Sequence, residues 1–346
     1  MKYKVVQTLD MPGAPIPDYG EMVRNEGIEV DFQKKQCSTE DEMIAFAHDA
    51  DAVIGAAVVQ PFTRRVIEGL GRCRFILSMG IGYDYLDVGA ATEHGIIVAN
   101  VPDTSLEEVS DHAMALILAL TRGIIRLNDT VKGGGWKAEP DLDIQQTIWP
   151  GMSSLRGQTM GLIGFGRIPR TLVPKAKGFG LTVLAHDPYA NQRFFDDIGV
   201  RRVELDELLA SSDIVSVHCA LTTETRHLLG AEQFKKMKPG ALLVNTARGP
   251  VIDQKALYNA LVEGHLAGAG LDVTDPEPIP ADDPLLKLDR VILTAHSAHF
   301  SIPAFMAIMQ RPGGEVARVL RGEWPLGLLN PQVKETYSRR WGVTPK

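Results

Sequence analysis

Residues 157–170 read GQTMGLIGFGRIPR, an apolar run that ends on Gly164 and Gly166 and passes into a stretch of helical character. Strand, tight turn and helix in that order open a βαβ unit, and this context is what makes a two-glycine pattern informative. The first glycine permits the sharp turn. The second lets a pyrophosphate approach the backbone, where a helix N-terminus offers N–H groups and the positive end of its dipole. Roughly twenty residues on, after the apolar run LTVLAH, Asp187 stands where a carboxylate accepts hydrogen bonds from an adenosine ribose. That acid would repel a 2′-phosphate, and DPYAN carries no arginine to replace it, so the turn reads as a site for NAD rather than NADP. Two residues depart from the pattern. Pro169 takes the third glycine's place, and Pro174 lies in the helix interior, where proline removes a hydrogen bond and usually kinks the helix.

Outward from this stretch, short β-branched or apolar runs alternate with longer amphipathic ones. KVVQTL, DAVIGAAVV, RFILSM and GIIVAN come first; TMGLIGF, LTVLAHD, DIVSVHC, ALLVNTA, AGLDV and VILTA follow. Continuously apolar runs belong to parallel sheets covered on both faces, so two such series imply an α/β chain with two doubly wound units. Between them, residues 106–132 place apolar side chains at helical spacing, with Ser105 set to cap the start and Glu108 three residues on. One long joining helix is expected there, and the segment 133–151, rich in turn formers, reads as a loop. Near the C-terminus, MQRPGGEVARVLRGEWP sets Pro312, Gly313 and Gly314 in succession, which predicts a break in the last helix.

At 346 residues the chain exceeds one ordinary core. Hydrophobic residues at 45% and charged residues at 23% match a globular enzyme and exclude a disordered or fibrous chain. A formal net charge of −7, with scattered basic residues, argues against a nucleic-acid partner. No apolar run reaches the ~18 residues that span a bilayer, and the opening MKYKVVQTLDMPG has only a short apolar stretch ending in an acid, so no membrane partner and a cytoplasmic location are expected. Cys37, Cys73 and Cys219 include no CxxC pair; neither a disulfide framework nor a metal site is expected.

Three segments of the second series end an apolar run on a polar group: Arg248 in LLVNTARGP, Glu277 in LDVTDPEP and His296 in VILTAHSAH. Ligands of parallel sheets sit at the carboxyl ends of the strands. Singly each residue would be a solvated charge; together they read as a site.

GIGYDYLDVGAATEHGIIVANVP, GLIGFGRIPR, KPGALLVNTARGPVIDQKAL, GHLAGAGLDV and PEP resemble signatures of the D-isomer-specific 2-hydroxyacid dehydrogenase family, in that family's order, over residues 51–330. Within this span EEVSDHAMALILALTR and VHCALTTETRHLL are similar to the branch containing the C-terminal binding protein corepressors and their bacterial enzyme relatives. The resemblance implies a Rossmann-type NAD-binding domain, residues 104–297, inserted into a flavodoxin-like substrate domain, residues 1–103 and 298–346, with a cleft that closes over substrate, and a homodimer. It also implies roles. Arg248 would bind the substrate carboxylate, His296 would donate the proton, and Glu277 would hydrogen-bond the imidazole and favour its charged form. The loop Gly80-Ile81-Gly82 resembles a carboxylate-holding turn whose backbone N–H groups form an anion nest.

For the cofactor, the resemblance implies Gly164, Gly166, Arg167 and Ile168 at the pyrophosphate, Asp187 at the ribose, Cys219 and Thr225 on the adenosine side, and Thr246, Ala247 and Asp272 near the nicotinamide. His299 would line the substrate pocket with Phe300; the other seven of the nine histidines read as surface or packing residues. The sequence departs from the family at Ala295, where proline usually precedes the histidine, and at His299, where corepressor-type members carry tryptophan. The implied activity is NAD-dependent reduction of a 2-oxo acid to a D-2-hydroxy acid. Two alternatives stay open: an NAD-sensing, corepressor-like binding protein with vestigial chemistry, and a family dehydrogenase acting on phosphoglycerate, phosphite or formate. Ser78, where some relatives carry a basic residue, speaks against a phosphorylated substrate.

Overall fold

A computed structural model describes residues 2–10, 16–136 and 142–346. The chain falls into two compact units, Met1–Thr104 with Ser301–Lys346, and Ser105–Phe300.

The first unit holds β1 (Tyr3–Gln7), β2 (Val30–Lys34), β3 (Ala52–Gly55), β4 (Phe75–Ser78) and β5 (Ile97–Ala99) in the order β2-β1-β3-β4-β5, every pairing parallel. This is the flavodoxin-like order. β3, β4 and β5 are buried along their whole length because helices cover both faces. Val5, Ile54, Phe75 and Leu77 pack against the helices Tyr19–Asn25 and Ile302–Leu320. Val6, Val53, Ile76 and Val98 pack against Glu40–Ala47, Arg64–Gly69 and Val88–Glu93.

The second unit adds β6 (Thr159–Ile163), β7 (Thr182–His186), β8 (Arg201–Arg202), β9 (Ile214–Val217), β10 (Ala241–Asn245), β11 (Leu266–Leu271) and β12 (Val291–Leu293). Their order is β12-β11-β10-β9-β6-β7-β8, again wholly parallel. The order reverses between β6 and β9, and a doubly wound sheet takes its ligand outside the carboxyl ends of the strands at such a reversal. The chain is therefore α/β with two doubly wound parallel sheets, the Rossmann-type unit interrupting the sequence of the flavodoxin-like one.

Local structure departs from the sequence-based expectation in several places. Residues 106–132 form two helices, Leu106–Thr121 and Ile124–Lys132, because Gly123 adopts φ 58°, a left-handed conformation that turns the chain. Ser105 does not cap the first of them. It is itself left-handed, with φ 63°, and makes no side-chain cap hydrogen bond. Within 133–151, Leu142–Thr147 is helical and Trp149–Gly151 forms a 3-10 turn, so the segment is not a plain loop; residues 137–141 lie outside the described residues.

Neither proline signal ends its helix. Arg167–Gly178 runs through Pro174, whose ring is exposed, so the Arg170 carbonyl that loses its amide partner stays within reach of water. Ile302–Leu320 runs through Pro312, Gly313 and Gly314. Gly313 is pressed on Met22, where a Cβ would lie 2.7 Å from Met22 Cβ, and burial of Ile308, Met309, Val316 and Val319 outweighs weak local propensity. No helix among the described residues is long and apolar enough to cross a membrane.

Candidate active site

β6 ends at Ile163 and the chain turns at Gly164, with φ 88°. A Cβ at Gly164 would meet Cys219 N at 2.7 Å, so glycine alone lets this turn pass the end of β9. Gly164 N donates to His186 O at 2.8 Å and Phe165 N to Asp187 Oδ2 at 2.8 Å, which ties the turn to the end of β7. The amides of Gly166, Arg167 and Ile168 open the following helix. Such first-turn amides lack intrahelical acceptors, and no side chain caps them. Pro169, buried at the next position, has no N–H to add. A Cβ on Gly166 would meet nothing within 4 Å, so the space over the turn is open and fits a pyrophosphate.

Asp187 also accepts Tyr189 N at 2.9 Å and Ala190 N at 3.0 Å through Oδ1. Backbone thus takes three of the roughly four acceptor positions of a carboxylate, and one remains for a ribose hydroxyl. Cys219 is half-buried, and burial pushes its thiol up to about 11, which makes it a packing group rather than a nucleophile. Thr225 Oγ1 donates to Ala220 O at 2.7 Å and accepts from Thr222 N at 2.7 Å, so its hydroxyl shapes the loop after β9. Beside that loop, His218 Nε2 lies 2.8 Å from Ser216 Oγ, and burial pushes its imidazole down to about 4.

β10 ends in Asn245, whose buried side chain accepts from Ala247 N at 2.9 Å and donates to Arg248 O at 2.9 Å. This closes the turn that presents Arg248, half-buried, with Nη1 on Ala247 O at 2.6 Å. Thr246 Oγ1 is buried without a partner among the described residues, as expected of a group reserved for a bound molecule.

Asp272 follows β11 and organises the next loop. His296 N donates to its carbonyl at 2.8 Å, Ser297 N to Oδ1 at 3.0 Å and Ala298 N to Oδ2 at 3.0 Å. Three successive amides on one residue hold His296 at φ 50°, uncommon for a residue with a Cβ. His296 Nδ1 then lies 2.5 Å from Glu277 Oε1. An ionised carboxylate only accepts, so Nδ1 carries the proton and Nε2 is left for another partner. The His299 ring stands edge-on to that of His296, with centroids 6.0 Å apart. Partial burial and then the His296 charge lower the His299 pKa, and Arg248 lowers it further. Arg248, Asp272, Glu277, His296 and His299 therefore gather at the carboxyl ends of β10, β11 and β12.

In the first unit, Gly80 follows β4 with φ 89°. Val101 N donates to Gly80 O at 2.9 Å, Asn100 Nδ2 to Ile81 O at 2.7 Å and Ser78 Oγ to Gly82 O at 3.0 Å. The carbonyls of Gly80, Ile81 and Gly82 are thus paired inward, while their amides donate to no partner among the described residues, the arrangement of an anion nest. Ser78 is fully buried, and its hydroxyl also accepts Ala57 N at 3.0 Å, so it does not face a ligand. Asn245, Asn100 and Thr294, whose Oγ1 donates to Asp272 Oδ1 at 2.5 Å, hold these turns in shape, and none of the three is singled out by the sequence. The one local signal each carries is a polar residue at the end of a continuous apolar run.

The model of the family described as D-isomer specific 2-hydroxyacid dehydrogenase, NAD binding domain, matches residues 114–298. The chain is 39% identical over 321 residues to a glyoxylate reductase of Korarchaeum cryptofilum, covering 92% of this chain and 94% of that protein. It is 39% identical over 293 residues to a D-3-phosphoglycerate dehydrogenase of Methanocaldococcus jannaschii, covering 84% of this chain and 54% of that protein. Among solved structures, a D-lactate dehydrogenase from Aquifex aeolicus, complexed with NAD and lactic acid, matches with a TM-score of 0.76 at 27% identity, covering 92% of this chain and 96% of that one.

Proposed function

Since the chain belongs to the D-isomer specific 2-hydroxyacid dehydrogenases, NAD-dependent oxidoreductases acting on CH–OH groups, we propose that it reduces small, unphosphorylated 2-oxo acids to D-2-hydroxy acids, with His296 as proton donor. The observation that carries this reading is the 2.5 Å contact of His296 Nδ1 with Glu277 Oε1, which leaves Nε2 as the ring atom able to serve a substrate. NADH, when bound, supplies the hydride to the substrate's carbonyl carbon. The amides of Gly166, Arg167 and Ile168 would hold its pyrophosphate and Asp187 its ribose, with Thr246, Ala247 and Asp272 serving the nicotinamide end and Cys219 and Thr225 the adenosine end. Arg248 pairs with the substrate carboxylate through two parallel N–H donors. His296 Nε2 gives its proton to the carbonyl oxygen as the alcohol forms, and Glu277 holds the ring through Nδ1. In the oxidative direction the neutral imidazole takes that proton back. His299 lines the substrate side with Phe300.

We assign the substrate-binding role to the first unit, with the Gly80-Ile81-Gly82 amides as its carboxylate-binding element. The sealed Ser78 hydroxyl offers no charge for a phosphate. A homodimer is part of the same reading. The helix Ile124–Lys132 buries none of its residues and exposes Ile124, Ile125 and Val131, with Trp136 and Trp149 also exposed nearby in sequence. An apolar surface of that kind, identical on each copy, suits a two-fold interface.

The test is NADH oxidation by the purified protein with glyoxylate, hydroxypyruvate, pyruvate, branched 2-oxo acids and phosphohydroxypyruvate. Turnover is expected with the small unphosphorylated acids, and His296→Asn should lower it by about 10²- to 10⁴-fold, the range of a general acid, with NADH affinity retained. Absence of turnover with the four unphosphorylated classes, by folded protein, overturns the reading.

A further inference from the structure

His112 lies on the helix Leu106–Thr121, which packs on β10 and β11. Its Nε2 is 2.9 Å from Thr294 Oγ1 and 3.6 Å from Asp272 Oδ1. Thr294 Oγ1 is in turn 2.5 Å from Asp272 Oδ1. A hydroxyl has one proton to give. The ionised Asp272 carboxylate can only accept, so the Thr294 proton points to Asp272, and Thr294 must then accept from His112. This fixes Nε2 as a protonated position and orders the whole chain: His112 donates to Thr294, Thr294 to Asp272, and Asp272 receives the Ser297 and Ala298 amides on its two oxygens.

Asp272 is only 2% exposed. A carboxylate at that depth keeps its charge only where donors surround it, and its orientation is set by where those donors stand. The two loop amides are the groups to be held, so they cannot also be the anchor. The anchor is the Thr294 hydroxyl, itself oriented by His112 from a different element.

We infer that His112 is a positioning residue for His296. Through Thr294 it fixes the Asp272 carboxylate, and Asp272 fixes the amides that hold His296 left-handed opposite Glu277. The charged or titratable groups around that loop are Asp272, Glu277, His299 and Arg248. The catalytic consequence rests on the reading of His296 as proton donor; the structural consequence does not.

Two measurements on the full chain test this, with variants His112→Phe, His112→Gln, Thr294→Val and the pair His112→Phe/Thr294→Val. The first is amide hydrogen exchange without ligand. In H112F the Ser297 and Ala298 amides should exchange about 10-fold faster, as loss of one hydrogen bond to a charged network allows, while β10 amides keep their wild-type rates. The second is steady-state kinetics with NADH and glyoxylate, in which kcat should fall by about 10-fold with KM for NADH unchanged. H112Q, whose side-chain amide can still donate to Thr294, should recover most of both effects. T294V should reproduce H112F, and the double variant should add nothing, because both residues act through one chain.

Wild-type exchange at Ser297 and Ala298 in H112F overturns the inference. So does faster exchange throughout the unit that glutamine does not rescue, since that is the behaviour of a packing residue. If the wild-type protein turns over no 2-oxo acid, the proton-donor reading falls, and the exchange rates alone still decide the role of His112.

Discussion

Gly249 and Thr274 approach more closely than any side chain permits: a Cβ at Gly249 would lie 1.9 Å from the Thr274 carbonyl oxygen and 2.1 Å from its carbon. The contact presses the turn after β10 onto the segment after β11, and so couples the placement of Arg248 to the stretch that carries Asp272 and Glu277. Alanine at 249 has to force the two backbones apart. Gly249→Ala should cost about 100-fold in kcat/KM for the 2-oxo acid, the scale of an ångström displacement at a reacting group, and should lower Tm. Kinetics beside a thermal melt check this, and a wild-type kcat/KM in the variant would dissolve the coupling.

Arg248 separates an enzyme from a protein that merely binds NAD. Two charge-assisted hydrogen bonds to a carboxylate are worth about 3 to 4 kcal/mol, so Arg248→Ala should lower kcat/KM by about 10² to 10³ while leaving the NADH dissociation constant as it is. Arg248→Lys restores the charge without the planar fork and should recover only part of the loss. Full turnover in R248A would remove Arg248 from the substrate.

His218 should make the second unit sensitive to acid. Its imidazole is pushed from 6.5 down to about 4 by burial, so between these values the unfolded chain binds the proton and the folded chain does not. Stability from the neutral, buried ring is fully present above pH 6.5 and lost as pH falls toward 4, by up to ~3 kcal/mol. Urea midpoints of wild type and His218→Gln, compared from pH 7 to pH 4, should converge in slope except for this component. An identical pH dependence in both proteins would dismiss it.

The two sheets were legible because buried parallel strands read as continuous apolar runs. The strands that escaped notice are two of the four edges: Val30–Lys34, half polar and open to solvent at its end, and the two exposed arginines Arg201–Arg202, a two-residue strand paired to β7. Arg248, Glu277 and His296 stood out because each ends such a run on a chemically active group. Asn245, Thr294 and His112 did not, since their roles lie in which backbone or side-chain group each meets across separate elements, a relation that spacing along one chain does not encode. The absence of the break expected at Pro312-Gly313-Gly314 has an energetic cause. Local preferences of about 1 kcal/mol per glycine and about 3 kcal/mol per interior proline are smaller than what several buried side chains contribute to one long packed helix.

Gly313 and Gly314 put numbers on that competition, because they adjoin in one helix and differ in surroundings. A Cβ at Gly314 would meet nothing within 4 Å, whereas at Gly313 it would lie 2.7 Å from Met22 Cβ and 2.9 Å from Met22 Sδ. Gly314→Ala should therefore stabilise the first unit by about 0.5 to 1 kcal/mol, through helix propensity and a less free unfolded chain. Gly313→Ala gains the same local term, yet must separate two packed helices and should destabilise by about 1 to 3 kcal/mol net. Combining it with Met22→Ala removes the obstructing atoms beyond Cβ and should return part of the loss, so the two effects will not add. Urea melts of Gly314→Ala, Gly313→Ala, Met22→Ala and the Gly313→Ala/Met22→Ala pair decide the matter: stabilisation by alanine at both glycine positions would mean that Met22 yields without cost, and that the glycine pair is not what lets these helices approach.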